Sequence, residues 1–227
     1  GYFHGDNLNP EAEVAIRESI ELAAEAVSKK TNENPSLEGM GTTCVVCIIH
    51  NGYLFAGHIG DSRLYLLHEG IMKRLTRDHS RVQFMLEAGI ISEENAEKHP
   101  HQNFLARVLG SNQQPRVEIL APPIKLRVGD RLLICSDGLY NEVSEANIAK
   151  ILGSTPAKEA ADKLVVMANE AGGNDNITIE IFAYGPIPPT SIPETWYSFS
   201  DPISAALFHT CFLIFFFLLG YLIAGYR

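Results

Sequence analysis

A predicted β-hairpin constrains the fold of this chain more than any other feature of its sequence. Two runs rich in β-branched and aromatic residues are joined by Asn51-Gly52, and two more runs flank Glu69-Gly70. Asn-Gly between such runs is the strongest short-range signal for a two-residue hairpin turn. The sequence therefore predicts an antiparallel meander whose strands span 43–50, 53–59, 64–67 and 71–75.

A helix over about 10–30 is predicted to cover this sheet. Asn9 and Pro10 supply an N-cap and a first-turn proline, and apolar residues such as Ile16 and Ile20 recur at helical spacing. Two shorter helices are predicted from Ser144 to about Leu152 and from Pro156 to about Gly172. Further strands are predicted at 117–120, 124–126, 131–136 and 177–184.

The stretch from residue 78 to 110, called the 78–110 segment below, loses the strand periodicity. It contains a short amphipathic run, 82–88, followed by polar residues without a clear period. A connection of this length between core elements is unusual, and such connections often carry function. We therefore expect a mobile excursion beside the core.

Three acids lie at the ends of strand-like runs. Leu132 to Cys135 has the composition of a strand buried on both faces, and it ends in Asp137, with Gly138 interpreted as the residue that lets the backbone turn sharply. Asp175 lies just before the alternating strand that begins at Ile177, and Asp61 lies at the edge of another apolar segment. A carboxylate at the edge of a core costs several kcal/mol unless a partner or a metal neutralises it. The pattern indicates one shared cation site.

Charge and cysteine content exclude some classes of protein. The formal net charge is −9 and no basic run occurs, which argues against a nucleic-acid partner. Cys44 and Cys47 are three residues apart in one predicted strand and would lie on opposite faces, so the four cysteines form no disulfide framework. Free thiols favour a reducing, cytosolic setting.

The C-terminal part differs in composition from the rest. Residues 185–202 contain five prolines and predict a stiff linker. Residues 203–225 carry no Asp, Glu, Lys or Arg and would span about 30 Å as a helix, which is enough to cross a bilayer. A buried core helix is the alternative. The prediction is a single-pass C-terminal membrane anchor with residues 1–184 as a cytoplasmic domain.

The ordered motifs of residues 1–184 resemble those of the metal-dependent Ser/Thr protein phosphatases of the 2C type, the PPM family, with the bacterial branch closer. Each motif alone is weak, but the ordered set is specific. The resemblance implies an α+β fold, two packed antiparallel β-sheets flanked by helices. The motifs are Gly41-Thr42-Thr43, Gly60-Asp61-Ser62-Arg63-Leu64-Tyr65, Leu75-Thr76-Arg77-Asp78-His79-Ser80, Leu109-Gly110, Ser136-Asp137-Gly138-Leu139 and Asn174-Asp175-Asn176-Ile177-Thr178.

By this resemblance, the chain is expected to hydrolyse phosphoserine and phosphothreonine in proteins, its targets being proteins phosphorylated by a Ser/Thr kinase. Asp137 and Asp175 are implied ligands of a binuclear Mg²⁺ or Mn²⁺ centre, and Asp78 is the implied ligand of a weaker third metal shared with Asp137. Carboxylates suit these hard cations, and two of them can activate a bridging water. The residues placed around the ligands or in structural hydrogen bonds are Asp61, Ser62, Arg63, Gly138 and Asn176.

Two elements of the family pattern do not lie in the sequence as given. The family begins with a strand that carries a phosphate-holding arginine, followed by an Asp-Gly pair whose Asp bridges both metals. Without that acid the two cations face too little negative charge for tight binding. In the presence of Mn²⁺, this chain is therefore expected to hydrolyse p-nitrophenyl phosphate more slowly than a chain to which the N-terminal strand and the Asp-Gly pair have been restored.

Other interpretations of these residues stay open. Asp137 and Asp175 could be ordinary turn residues, and Asp78 a solvated loop acid. For Asp61 and Arg63, an internal ion pair or a contact that braces the backbone is the favoured interpretation. Arg107 is a candidate phosphate contact from the 78–110 segment, against the alternative of a solvated arginine.

The histidines are expected to be uninvolved in chemistry. For His58, His79, His99 and His101, a satisfied or exposed imidazole is the simpler interpretation. The evidence for a zinc site at His99 and His101 is weak, because a proline separates the two histidines and no acid or cysteine lies at the spacing of a further ligand.

Two competing functions remain. A catalytically impaired pseudo-phosphatase would use the same fold as a membrane-anchored binding or sensing module. A two-metal nuclease would also need clustered acids, but the negative charge and the missing basic run argue against it.

Overall fold

The structure is a computed structural model that describes residues 10–97, 99, 104–111, 115–185 and 219–221. The helices are α1 (Pro10–Glu33), α2 (Arg81–Glu87), α3 (Glu93–Glu97), α4 (Asp137–Tyr140), α5 (Glu145–Ser154) and α6 (Ala157–Ala171). The strands are β1 (Gly41–His50), β2 (Tyr53–Ile59), β3 (Arg63–His68), β4 (Ile71–Arg74), β5 (Glu118–Ile119), β6 (Ile124–Lys125), β7 (Arg131–Cys135), β8 (Ile179–Ala183) and β9 (Leu219–Tyr221).

The predicted hairpin is confirmed. Strands β1 and β2 pair antiparallel from Cys44 opposite Ile59 to His50 opposite Tyr53. Asn51 and Gly52 have φ angles of 50° and 78°, which are the two positive values that a type I′ turn requires. The turn residues and the composition of the flanking strands thus both predicted the hairpin that the structure shows.

The strands form two antiparallel sheets. The first has the order β5-β2-β1-β9, and β6 also pairs with β2. The second has the order β4-β3-β7-β8, in which β7 lies between β3 and β8. The predicted α+β arrangement of two antiparallel sheets with helices is therefore confirmed.

Three buried clusters show how the layers pack. Ile16 and Ile20 of α1 lie against the outer face of the first sheet, in a cluster with Cys44. A second cluster, which includes Cys47 and Ile134, fills the space between the sheets. A third lies between the second sheet and helices α4 to α6. The order of layers is thus helix, sheet, sheet, helices, held by apolar burial on every face.

The buried character of β7 follows from this arrangement. Leu132 and Ile134 face the core between the sheets, whereas Leu133 and Cys135 face the helices. Alternate residues of a strand point to opposite faces, so a strand covered on both sides needs an unbroken apolar run. Strand β7 therefore delivers the residues that follow it, Ser136 and Asp137, to a fixed place at the edge of the core.

The cysteine prediction agrees with this packing. Cys44 and Cys47 belong to different clusters on opposite faces of β1, and Cys44, Cys47 and Cys135 are free and buried. Burial raises the pKa of the Cys44 thiol to about 11 and that of Cys47 to about 12. These thiols are small apolar core residues and are protonated at neutral pH.

The predicted linker and membrane helix fall almost entirely outside the described residues. Of 203–225, only Leu219–Tyr221 is described, and it forms strand β9 beside β1, with Gly41 opposite Tyr221. At these three residues the structure therefore shows a strand and not the predicted helix. Across the described ranges, no helix combines the length and apolar composition needed to cross a membrane.

Candidate active site

The site is built where the ends of β7 and β8 meet. Ser136 follows β7, and its backbone N–H donates to the carbonyl of Thr178 at 3.0 Å. Its hydroxyl donates to the carbonyl of Asn176 and accepts from the N–H of Thr178, both at 3.0 Å. Because Ser136 joins the two loops through three hydrogen bonds, Asp137 and Asp175 are held on the same edge of the second sheet.

Gly138 has a different role from the one predicted. It lies in the first turn of α4, outside the left-handed region, so the interpretation that it allows a sharp turn is wrong. A Cβ atom there would lie 2.5 Å from the carbonyl oxygen of Asn176 and 3.3 Å from that of Asp175. Glycine is needed because the two acid-bearing loops approach each other too closely for a side chain.

Four aspartate carboxylates line one cavity of about 830 Å³ beside this junction. They are those of Asp61, Asp78, Asp137 and Asp175. Asp61 reaches the cavity from the loop between β2 and β3, and Asp78 from the segment after β4. The convergence predicted for the three strand-terminal acids is thus what the structure shows, with Asp78 as a fourth.

The electrostatics of the cavity favour a cation. Burial, followed by the negative charge of Asp175, raises the pKa of Asp137. Burial raises the pKa of Asp61 to about 7, and the charges of Asp137 and Asp78 add to this effect. Like-charged carboxylates that share a desolvated site hold protons or bind cations. Oxygen donors of this kind fit Mg²⁺ or Mn²⁺.

Asp78 is engaged differently from the other three acids. Both of its oxygens accept hydrogen bonds from Arg63, the shortest being 2.7 Å from Nη2, and Nη1 of Arg74 lies 3.5 Å from Oδ2. The side chains of Arg63 and Asp78 are only 16% and 11% exposed. Asp78 is therefore neutralised by two arginines, which leaves Asp61 the less compensated partner for Asp137.

Arg63 does not pair with Asp61 as the sequence interpretation favoured. Its guanidinium lies 3.5 Å from the centroid of the Tyr140 ring, and it donates to the hydroxyl of Tyr65 at 3.1 Å. The Tyr140 hydroxyl in turn donates to the backbone carbonyl of Asp61 at 3.0 Å. The backbone of Asp61 is thus held by Tyr140, a contact that the sequence analysis did not predict.

Ser62 and Asn176 have structural contacts. The Ser62 hydroxyl lies 2.8 Å from that of Thr43, which ties the Asp61 loop to β1. The backbone N–H of Asn176 donates to Oδ1 of Asp175 at 2.7 Å. Both contacts fix the backbone next to an acid of the cavity.

Arg107 points elsewhere than the sequence interpretation suggested. It is not among the residues that line the acidic cavity. Its Nη1 lies 3.4 Å from Nε2 of His79 and 4.0 Å from Oε2 of Glu118. The candidate phosphate contact is therefore engaged in a neighbouring polar cluster.

That cluster contains two buried histidines that the sequence analysis set aside. His58 and His79 stack with ring centroids 4.6 Å apart, and Nε2 of His79 lies 3.1 Å from Oε2 of Glu118. Burial, followed by the neighbouring His58, lowers the pKa of His79 to about 4. Donor atoms of His58, His79 and Glu118 lie within 4.8 Å of one another, a spacing that a metal ion could use.

Hydrogen bonding explains this cluster without a metal ion. Nδ1 of His79 accepts from the N–H of Gly60 at 3.1 Å, so the neutral ring carries its proton on Nε2, the atom that faces Glu118. Nε2 of His58 lies 2.8 Å from the carbonyl of Arg77. The arginine beside these donors also disfavours a further cation.

Comparison with known protein families assigns a family to this fold and its acidic cavity. The profile of the Protein phosphatase 2C family matches residues 3–176, and the chain belongs to this family. Members of the family use Mn²⁺ or Mg²⁺.

Individual relatives agree with this assignment. The serine/threonine phosphatase stp of Listeria innocua is 39% identical over 170 residues, which cover 74% of this chain and 67% of the relative. The S. agalactiae serine/threonine phosphatase structure has a TM-score of 0.72 at 30% identity and covers 80% of this chain and 75% of that chain. The catalytic domain of PstP in complex with two manganese ions has a TM-score of 0.63 at 32% identity, covering 79% and 72%.

Proposed function

We propose that this chain is a metal-dependent phosphatase that removes phosphate from phosphoserine and phosphothreonine in proteins, through a binuclear Mn²⁺ or Mg²⁺ centre. Its substrates would be proteins phosphorylated by a Ser/Thr kinase. The observation that carries the proposal is the convergence of buried, mutually repelling carboxylates on one cavity. The relatives named above are serine/threonine phosphatases.

Asp137 and Asp175 are the proposed metal ligands, as the family resemblance implied, and Asp61 joins them. Asp61 takes the place first given to Asp78 as the ligand shared with Asp137, because Arg63 and Arg74 already neutralise Asp78. When bound, two divalent cations supply Lewis-acid activation of water and neutralise charge on the phosphoryl oxygens.

The remaining residues of the site position these acids. Ser136 and Gly138 hold the Asp137 and Asp175 loops together, and Tyr140 holds the Asp61 backbone. Such preorganisation matters because a carboxylate that is already in place needs no rearrangement when charge develops in the reaction. Arg63 adds a fixed positive charge to the lining of the cavity and partly offsets the repulsion between Asp78 and Asp61.

Metal removal tests this function. The full chain should release phosphate from a phosphothreonine peptide in the presence of Mn²⁺, and chelation of the metal by EDTA should lower the rate to that of buffer. Re-addition of excess Mn²⁺ should restore it. Phosphate release that is insensitive to EDTA would contradict the metal-dependent mechanism.

The same assay separates the second candidate function. A pseudo-phosphatase would bind Mn²⁺ or a phosphopeptide without turnover, and the pairing of Asp78 with Arg63, which leaves one carboxylate fewer for metal ions, favours this alternative. Peptide binding without phosphate release at saturating Mn²⁺ would establish it.

The C-terminal membrane anchor is a separate proposal. Its support is the uncharged run 203–225, and strand pairing by Leu219–Tyr221 opposes a continuous helix there. The full chain is expected to float with phospholipid vesicles in a density gradient, whereas a chain ending at residue 185 remains in the dense fractions. Equal behaviour of the two chains would contradict the anchor and the membrane location of the domain.

A further inference from the structure

We propose that His79 is a positioning residue that fixes the Asp61 loop for metal binding, with Glu118 orienting its ring. The inference rests on the proposed function, because it concerns the affinity of the same carboxylates for Mn²⁺. The sequence analysis treated His79 as a satisfied or exposed histidine without a role in the chemistry.

The contacts of His79 with Gly60 are reciprocal. The backbone N–H of His79 donates to the carbonyl of Gly60 at 3.0 Å, and the N–H of Gly60 donates to Nδ1 of the His79 ring at 3.1 Å. One residue therefore satisfies both backbone polar groups of the residue that immediately precedes Asp61. The side chain of His79 is completely buried, so water does not replace these bonds.

Gly60 is held from two sides, by β1 and by His79. Its φ angle is +104°, and a Cβ atom there would lie 2.3 Å from the side chain of Thr43. The loop is thus packed against β1 on one side and bound by His79 on the other. A change at the His79 ring should move Asp61 and leave the strand behind it in place.

Glu118 sets the orientation of the ring from the opposite side. Its Oε2 lies 3.1 Å from Nε2 of His79, and its side chain is 34% exposed. Acceptance at Nδ1 and donation at Nε2 select one tautomer and one ring orientation. This arrangement resembles the outer hydrogen bonds that orient metal ligands elsewhere, whose loss typically costs about 10- to 100-fold in metal affinity.

Two amide variants test the contributions of the two ring nitrogens of His79 separately. In His79→Asn, the side-chain oxygen can stand near the position of Nδ1 and accept from Gly60, whereas in His79→Gln the amide reaches toward Glu118 and the acceptor for Gly60 is lost. For the full chain, the dissociation constant for Mn²⁺ measured by titration calorimetry should rise about tenfold in His79→Gln. It should stay within about twofold of wild type in His79→Asn.

Glu118 offers a second pair of variants on a partly exposed side chain. Glu118→Leu removes the acceptor of the ring proton and should raise the Mn²⁺ dissociation constant about threefold to tenfold. Glu118→Gln retains an oxygen at that position and should leave it within about twofold. This pair decides the question if His79→Gln does not fold.

The outcomes distinguish this inference from the proposed function. Equal Mn²⁺ affinity in wild type, His79→Gln and Glu118→Leu would overturn the positioning role while leaving the phosphatase proposal intact. Equal losses in His79→Asn and His79→Gln would also overturn it, because a general packing defect would then explain both. No Mn²⁺ binding by the wild-type chain would overturn the proposed function and this inference together.

Discussion

Asp137→Asn is expected to lower kcat/KM for a phosphothreonine peptide by roughly 1,000-fold at saturating Mn²⁺. Metal ions supply several kcal/mol of charge stabilisation in such reactions, and about 4 kcal/mol corresponds to a factor of about 1,000. The negative charge of Asp137 is coupled to those of both Asp61 and Asp175. Steady-state kinetics at several Mn²⁺ concentrations would measure the loss.

The same substitution should stabilise the metal-free chain. The pKa of Asp137 is raised in the folded state, so ionisation at neutral pH weakens folding, and stability from this group is lost as pH rises through the folded pKa. The melting temperature of Asp137→Asn in EDTA should therefore exceed that of wild type at pH 7.5, with the difference disappearing below about pH 4. Higher stability with lost activity is typical of functional sites.

A matched acid provides the control. Glu93 lines the same cavity from α3, and Glu93→Gln removes one negative charge without touching the proposed ligands. This variant should retain kcat/KM within about twofold, as expected for a solvated surface charge. Similar kinetics for Asp137→Asn and Glu93→Gln would contradict the role of Asp137.

Arg63→Met is expected to lower the free energy of unfolding by about 3–5 kcal/mol. Breaking a buried ion pair on one side leaves an uncompensated charge, which is the source of losses of this size. The carboxylate of Asp78 would keep only Arg74, whose Nη1 lies 3.5 Å from Oδ2. Urea unfolding at pH 7.5 in EDTA would give the difference from the shift of the midpoint.

A double variant tests the cause of this loss. Arg63→Met combined with Asp78→Leu removes both charges and should recover most of the stability, because the penalty comes from the orphaned carboxylate. Two independent, additive losses would contradict the pairing seen in the structure. A loss below about 1 kcal/mol for Arg63→Met alone would place the pair among weak surface ion pairs.

Local chemistry explains why much of the fold could be predicted. The Asn51-Gly52 turn, the apolar run of β7 and the spacing of Ile16 and Ile20 each act within a few residues, and each produced the expected element. The side-chain alternation that separates Cys44 from Cys47 is equally local. The convergence of the acids followed because strand ends of one sheet lie together at its edge.

Contacts between distant segments could not be predicted in the same way. Asp78 and Arg63 are 15 residues apart, and their pairing depends on how the segment after β4 returns to the start of β3. The need for glycine at 138 arises from Asn176, which is 38 residues away. His79, Gly60 and Glu118 likewise meet only in the folded chain. An isolated motif carries no information about such partners.

Anomalous diffraction from crystals of the full chain soaked in Mn²⁺ tests the central claim most directly. The account predicts anomalous peaks in the acidic cavity, with carboxylate oxygens of Asp137 and Asp175 at about 2 Å from them and an oxygen of Asp61 close to the same ions. Peaks confined to His58, His79 and Glu118, or no peak beside Asp137, would contradict it.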